Sequence, residues 1–552
     1  MVYKIQDRMV LARLNRTAEK LGWYGESQQG FRNNRGCDHT LFISNRIDQM
    51  GIEKDHVAYK LFVDNTKAYD IVSRNTLWLV LKRRGVPDKF LNLIKSALVG
   101  SRARLKTKTD KECEYFDLLN GLKQGAILSR CEFNIFMGAI MEEIRKRMKE
   151  KGIGAKIEYD LDCNPLVRNR KGSNMNSRNK GEVDVTDILF ADDSCFIAIG
   201  NANQMQEVAT IVDEVMSAFG QKVSIAKTKI MQVIRKKNTT HDRDEEDILC
   251  AIHDEEIEVV DTFQYVGTQV TNNACMKTEV TTRATKMKAN YYQFRHTIFE
   301  NPKTDLWIKL TMFRVFVLPA GCYNCAAWHA SAKLVKKLDS VARKLLCRIF
   351  GFKWYHYVSY DYLIKLCKLL GSDMTPISML ASKYRLKFLG RIIRSPDSNL
   401  VKQLLYGEYA GGSRPVGRPE TQWTDCVVKD LKSFLKLDPK EEWNVIKECA
   451  MNVKNWELGI LQGLERNVIP DWYEKHKERR KVRMRKKNVT PMPVNEGLTM
   501  NDEEIDPAVL GIEIENEELE KDLNIIITRT PLQSISSATM SSLEKKLGFK
   551  KG

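Results

Sequence analysis

Ile188-Leu189-Phe190-Ala191-Asp192-Asp193-Ser194-Cys195-Phe196-Ile197-Ala198 sets two short apolar runs on either side of an acidic dipeptide, the pattern of a β-hairpin with its acids at the tip. Upstream, Tyr59 to Val63 is another apolar, β-rich run, and it ends at Asp64. A carboxylate at a strand end projects into a cleft while its backbone stays fixed. Three of them on neighbouring strands make a cage of hard oxygens suited to Mg²⁺. Two such ions ~3.5–4 Å apart clamp the attacking and leaving oxygens of an in-line displacement. Phosphoryl transfer asks for little beyond such positioning and charge neutralisation. The same residue types also suit a hairpin turn at Asp192-Asp193 and a helix N-cap at Asp64, and spacing alone leaves both uses open.

Residues 1–60 read as helix, then loop, then extended chain, with the basic stretch Gln28-Gln29-Gly30-Phe31-Arg32-Asn33-Asn34-Arg35-Gly36 as the loop. Residues 127–150 carry Leu128, Phe136, Ile140, Ile144 and Met148 on one helical stripe. Residues 157–183 are polar and read as an exposed, mobile loop. Met205, Val208, Val212, Val215 and Phe219 mark the next helix, with Gly220 placed to end it. From about 290 to 400 the pattern is almost all helix. There, Leu334, Leu338, Val341, Leu345 and Ile349 form one face, and Lys333, Lys336, Lys337, Arg343, Lys344 and Arg348 crowd the rest. The tail is basic over 475–487 and acidic over 502–522, which predicts solvated, largely disordered chain from 471 onward. The basic block also fits a nuclear-import signal.

Composition bounds the function. Hydrophobic residues at 43% and charged residues at 29% over 552 residues exclude wholesale disorder and allow several cores. A net charge of +18 favours a polyanionic partner, nucleic acid before membrane. The N-terminus has no apolar segment of the secretory kind. No run reaches the ~18 consecutive apolar residues of a membrane span, and the best candidate, 315–328, carries Pro319 and Asn324. An odd thirteen cysteines read as reduced intracellular thiols. Cys322, Cys325 and His329 have zinc-like spacing but lack a fourth ligand.

Six segments together carry a resemblance. FVDNTKAYD (62–70) looks like the reverse transcriptase motif in which an Asp precedes an Ala-aromatic pair. ILFADDSCFIA (188–198) looks like the Ala-Asp-Asp hairpin of non-LTR (LINE-type) retrotransposon reverse transcriptases. NGLKQGAILSRCEFN (120–134) is similar to their Gly-x-x-Gln-Gly segment, and SQQGFRNNRGCDHT (27–40) to their Gln-x-Gly-Phe-Arg fingers motif. GQKVSIAKTKIM (220–231) resembles the Gly…Lys-Thr-Lys segment, and FQYVGTQV (263–270) the primer-gripping hairpin. All six stand in the family's order, and the resemblance runs from about residue 5 to about 465.

The resemblance implies an α+β right-hand polymerase: partial fingers, a palm with a mixed or antiparallel sheet, a helical thumb, a helical C-terminal region and a disordered tail. The expected divisions are fingers and palm over 1–235, the primer-grip hairpin and palm end over 236–290, the thumb over 291–400, a helical region over 401–470 and the tail over 471–552. It implies RNA-directed DNA synthesis from dNTPs on an RNA template and a DNA primer, with two Mg²⁺ ions, or Mn²⁺ in their place. Asp64, Asp192 and Asp193 match the metal ligands. Arg32 matches the fingers arginine on the triphosphate, Asn65 offers a carbonyl, and Tyr69 matches the aromatic gate that excludes a 2′-hydroxyl. Gln124 and Gly125 match the segment against the nucleotide and template. Lys227 and Lys229 are both candidates for the lysine at the leaving pyrophosphate. Lys336, Lys337, Arg343 and Lys344 suit a thumb surface tracking nucleic acid. Arg414 and Arg418 lie in a Gly-Arg-Pro element that suits minor-groove contact.

The chain departs from the family in places. Set against the resemblance, a short fingers region and no endonuclease ahead of the polymerase are expected, Arg130 stands where a Pro is usual, and Ser224 where an Asn is usual. These departures fit an N-terminally truncated copy. They keep a second reading open: a nucleic-acid-binding remnant without turnover. The expected location is nuclear or cytoplasmic, with no membrane partner and an oligomeric state left open.

Overall fold

The computed structural model describes residues 2–104, 114–167, 179–234, 250–353, 358–410 and 421–486. Its centre is an antiparallel sheet with strand order Asp187–Phe190, Asp193–Ile199, Ala58–Val63, Lys229–Val233. Ala58–Val63 is buried at every position because both faces of the sheet are covered. Tyr59, Leu61 and Val63 enter one core with helices Ser129–Glu150 and Gln204–Ala218. Ala58 and Phe62 enter a second core with helix Cys37–Lys54 and the C-terminal half. A strand covered on both sides reads as a continuous apolar run. Lys60 is the polar exception on this strand. Its ammonium lies 2.6 Å from Asp48 Oδ1 and 2.8 Å from Ser44 Oγ, partners without which its burial would be costly.

The two helices beside the sheet follow the expected stripes. The second closes at Gly220, whose φ of 78° only glycine adopts freely, with the Gly220 and Gln221 amides bonding back to Ser217 and Met216. Next along the chain, the hairpin Thr262–Tyr265 and Thr268–Thr271 packs under the sheet. Phe263 stacks on Phe62 at 4.3 Å, and the Tyr265 hydroxyl donates to the Ile188 carbonyl. The C-terminal half is helical and shares the second core. Trp423 donates its indole N–H to the Ala326 carbonyl and meets Phe42 edge-on at 5.0 Å. Arg46 binds the carbonyls of Leu404 and Gly407. The α+β class is therefore present, with the sheet at its centre.

Three expectations change. Residues 157–183 are not simply a loop: Ala155–Asp160 pairs with Lys180–Val185, and Gly407–Tyr409 adds a third strand. Ala155 and Ile157 face inward in alternation, and the strand that covers that edge comes from far along the chain. Residues 168–178 lie outside the described residues. The basic block near 475 continues a helix, Ile469–Lys486, that docks through Trp472 against Tyr360 at 5.8 Å; residues 487–552 lie outside the described residues. Finally, the helical run Leu306–Ala327 is long and apolar enough to cross a membrane by length and composition. Mean hydropathy forgives Lys309 and Arg314, and Leu310, Phe313 and Val317 pack in the second core.

Candidate active site

The sheet sets Asp64 beside the acidic hairpin. Val63 pairs with Ser194, so the next residue on one strand, Asp64, runs toward the preceding residue on the other, Asp193. Asp192 sits in the turn and Asp193 opens the following strand. The electrostatics agree. Burial and the charge of Asp64 push the Asp192 carboxyl above the usual range. Burial, then Asp192 and Asp64, push Asp193 up to about 6. Against this negative cluster stands the Lys227 ammonium, 3.0 Å from Asp64 Oδ2 and mostly exposed. It comes from the turn before Lys229–Val233, where the Ser224 amide donates to the Asp64 carbonyl.

Lys229 faces elsewhere. Its ammonium binds Glu258 Oε2 at 2.7 Å and the Ala226 carbonyl at 2.8 Å. Of the two candidate lysines, the geometry brings Lys227 to the acids.

Tyr69 and the Gln124 segment meet on the chain after Asp64. Tyr69 stacks on Phe133 at 4.2 Å, half-buried, and its phenol is pushed up to about 12 by burial and then by the charge of Asp192. Its carbonyl accepts from the Leu122 amide, and Gln124 Nε2 donates to Asp70 Oδ1 at 3.0 Å. Gly125 has a φ of 82° and open space where a Cβ would point. Asn65 is buried, and neither its amide nitrogen nor its oxygen has a hydrogen-bond partner.

Arg32 does not reach toward the acids. Its side chain is 2% exposed, and its guanidinium binds Glu19 Oε2 at 2.6 Å and the Gly25 carbonyl at 2.5 Å. The expected triphosphate contact is corrected on that ground: the donors are spent inside the protein. On helix Ala332–Ile349, Lys336, Lys337 and Lys344 face solvent, while Arg343 donates to the Val358 carbonyl. Arg414 and Arg418 lie outside the described residues.

What the fingers motif does supply is Gln28. Ala191, just before Asp192, has a φ of 59°, which a residue with a Cβ adopts at a cost. The Ala191 N–H donates to Gln28 Oε1 at 2.9 Å, and Gln28 Nε2 donates to the Ala191 carbonyl at 3.2 Å. The Gly30 N–H donates to the same Oε1 at 2.8 Å. A Cβ on Gly30 would lie 2.4 Å from the Ala191 nitrogen, so the loop can approach only as glycine. The Gln-x-Gly spacing was the available signal for this clamp, and the basic residues beside it drew the reading to Arg32 instead.

A second unforeseen element is the hairpin tip Val266-Gly267, with φ of 46° and 73°. The Tyr323 hydroxyl donates to the Val266 carbonyl at 3.2 Å, Asn324 to Thr268 Oγ1 at 2.9 Å, and Arg283 to the Gly267 carbonyl. Cys37, raised chiefly by burial, faces the Tyr323 hydroxyl, and Tyr265 of the same hairpin bonds to Ile188 of the acidic hairpin.

The acids are hard-oxygen donors with surplus negative charge, and that chemistry fits divalent cations. As the side chains stand, no group of three or more His, Cys, Asp or Glu among the described residues is arranged to hold an ion. Holding one on Asp64 requires Lys227 to leave its Oδ2.

The chain is similar to a transposon-derived protein of Caenorhabditis elegans, 22% identical over 247 residues, which are 45% of this chain and 85% of the relative. Among solved structures it resembles telomerase from Candida albicans with a fragment of telomeric RNA (12% identity, TM-score 0.34, covering 72% of this chain and 56% of that one). It also resembles apo telomerase from Candida tropicalis (12% identity, TM-score 0.36, covering 74% and 62%). The chain thus spans less than two thirds of either telomerase chain, and likenesses at these scores add nothing to the assignment. Residues 1–270, which hold all three acids and the Gln28 clamp, match the reverse transcriptase (RNA-dependent DNA polymerase) family.

Proposed function

We propose that this protein is an RNA-directed DNA polymerase of the non-LTR retrotransposon type, extending a DNA 3′-hydroxyl with dNTPs on an RNA template. The observation that carries the reading is the register that brings Asp64 beside Asp192 and Asp193 at the end of a sheet that fixes their backbones, with burial and then the charge of Asp64 raising both hairpin carboxyls. These three acids would hold the cations. Two divalent ions, when bound, supply charge neutralisation at the attacking and leaving oxygens. The chain's own residues do the rest. Gly125 leaves room for a base pair to approach the backbone. The Asn65 amide, buried without a partner, is free to pair with the nucleotide. Lys227, once released from Asp64, carries a proton within reach of the departing pyrophosphate. Lys336, Lys337 and Lys344 offer solvent-facing charge to a nucleic-acid backbone.

Primer extension on poly(rA)·oligo(dT) tests the reading, with dNTP incorporation expected. The second reading, a binding remnant without turnover, is favoured by the commitment of Arg32 to Glu19 and by the absence of a ready ion cage among the described residues. RNA binding with no incorporation by the wild-type chain would establish it.

Tyr69 sets the sugar choice in this scheme. Its ring is held by Phe133 beside Asp192. A 2′-hydroxyl against that ring meets a steric wall and loses its water partners. Such discrimination should exceed the roughly 1–3 kcal/mol that one methylene is worth in a hydrophobic pocket. Tyr69→Ala is expected to raise ribonucleotide use relative to dNTPs at least about tenfold, and Tyr69→Phe to leave the ratio unchanged, in competition assays. An unchanged ratio in an active Tyr69→Ala enzyme makes Tyr69 a packing residue.

A further inference from the structure

Helices Tyr360–Leu369 and Ile377–Arg394 line a groove of about 1950 Å³ together with Leu318, Cys322, Trp472 and Tyr473. Pockets for small molecules run to roughly 300–1,000 Å³, so this volume fits an extended polymer better. Its wall holds seven Lys and Arg side chains against four Asp and Glu. Two ion pairs use up a cation and an acid each, Lys387 with Glu457 at 3.1 Å and Arg391 with Asp38 at 2.5 Å, which leaves five cations against two acids.

The cations are ordered. Lys383, Lys387, Arg391 and Arg394 recur at intervals of four, four and three residues on one face of a single helix. At 1.5 Å per residue they rise by about 6, 6 and 4.5 Å, intervals comparable to the phosphates of an extended strand; Lys387 and Arg391 would exchange exposed ion pairs with Glu457 and Asp38 for those phosphates, and Arg394 its bond to the Ala450 carbonyl. Lys383 is the crowded member: burial and the neighbouring Lys387 charge lower its pKa. The rings are interleaved with these charges. Tyr384 is 43% exposed beside Lys383, and Tyr362 and Tyr473 line the opposite side, where the Lys365 ammonium sits 4.9 Å from the Tyr473 ring centre.

Rings and cations mixed along one groove bind single strands, because unpaired bases have free faces to stack and a duplex hides them. Cys37 and Asp38 line the groove, and Cys37 faces Tyr323, whose hydroxyl donates to Val266 at the tip of the hairpin that Tyr265 bonds to Ile188 of the acidic hairpin. We infer that this groove binds single-stranded nucleic acid, holding an unpaired strand that runs on from the acid cluster. Only the source of the strand rests on the polymerase reading; the binding itself needs no turnover.

The test is fluorescence anisotropy of a labelled single-stranded RNA 20-mer and of an RNA–DNA duplex of the same length, with the full chain in EDTA. Aromatic stacking is worth roughly 1–3 kcal/mol per base, so Tyr384→Ala should weaken single-strand affinity at least fivefold and leave duplex affinity unchanged. Lys383→Gln should lower the slope of log K against log salt by about 0.7, one phosphate on a single strand, and Lys383→Arg should restore it. Equal loss on single strand and duplex, or unchanged affinity and slope in both groove variants, overturns the inference. Tyr384 is exposed, so its variant stays informative should Lys383→Gln misfold. Normal groove binding without primer extension sinks the polymerase reading alone. Primer extension with indifferent groove variants sinks the groove alone.

Discussion

Asp192→Asn is expected to reduce nucleotide incorporation at least about 10³-fold, with folding intact. The substitution keeps the size of the side chain and removes one negative oxygen. Stabilising the developing charge of phosphoryl transfer through such a ligand is worth several kcal/mol, and each 1.36 kcal/mol is a decade in rate. Stability should move the other way. Burial and Asp64 already disfavour the ionised carboxylate at this position, so a neutral amide relieves both penalties. The melting temperature of Asp192→Asn should therefore equal or exceed that of the wild type. Primer extension with Mg²⁺ and thermal unfolding on the same preparations check both halves. Wild-type incorporation by Asp192→Asn would falsify the assignment of the acid cluster as the catalytic centre.

The acids were legible in the sequence because each ends an apolar run, and a strand covered on both faces leaves such a run as its trace. What could not be read was direction. Lys227 and Lys229 are two residues apart, but Lys227 lies in a turn with its ammonium on Asp64, and Lys229 begins a strand with its ammonium on Glu258. Arg32 carries the right chemistry for a phosphate, and only the fold shows that Glu19 and the Gly25 carbonyl hold it first. The sheet built on Ala155–Asp160 escaped notice for a related reason. One of its edges is completed by Gly407–Tyr409, a pairing that no local pattern encodes. The docked helix Ile469–Lys486 was hidden by its charge, since Trp472 and Tyr473 anchor only its beginning. Local chemistry was readable; partners distant in the chain were not.

Gln28→Ala is expected to lower kcat about 10²-fold while leaving the KM for dNTP nearly unchanged. The amide of Gln28 satisfies both the N–H and the carbonyl of Ala191 and also the Gly30 N–H. Around it, Asn134 holds the Gly30 carbonyl at 2.9 Å, and Ser27 and Arg145 hold Asp187 at the start of the same hairpin. Without Gln28, two buried peptide groups of the turn lose their partners, at roughly 1–3 kcal/mol for each unsatisfied group. Nothing then offsets the cost of the left-handed Ala191, and the turn relaxes toward an ordinary φ. That relaxation rotates the peptide leading into Asp192. A shift of about 1 Å in a positioned group is enough to cost 10²-fold. Because the acids themselves remain, the defect is one of placement, and raising Mg²⁺ should recover part of the lost rate. It should not do so for Asp192→Asn. Gln28→Glu keeps the acceptor for the Ala191 and Gly30 amides, loses the donor to the Ala191 carbonyl, and adds charge beside the acids, so it should fall between Gln28→Ala and the wild type. Steady-state kinetics over a Mg²⁺ series read out all three variants. A Gln28→Ala enzyme with normal kcat and normal Mg²⁺ dependence would show that the turn holds its shape without the clamp.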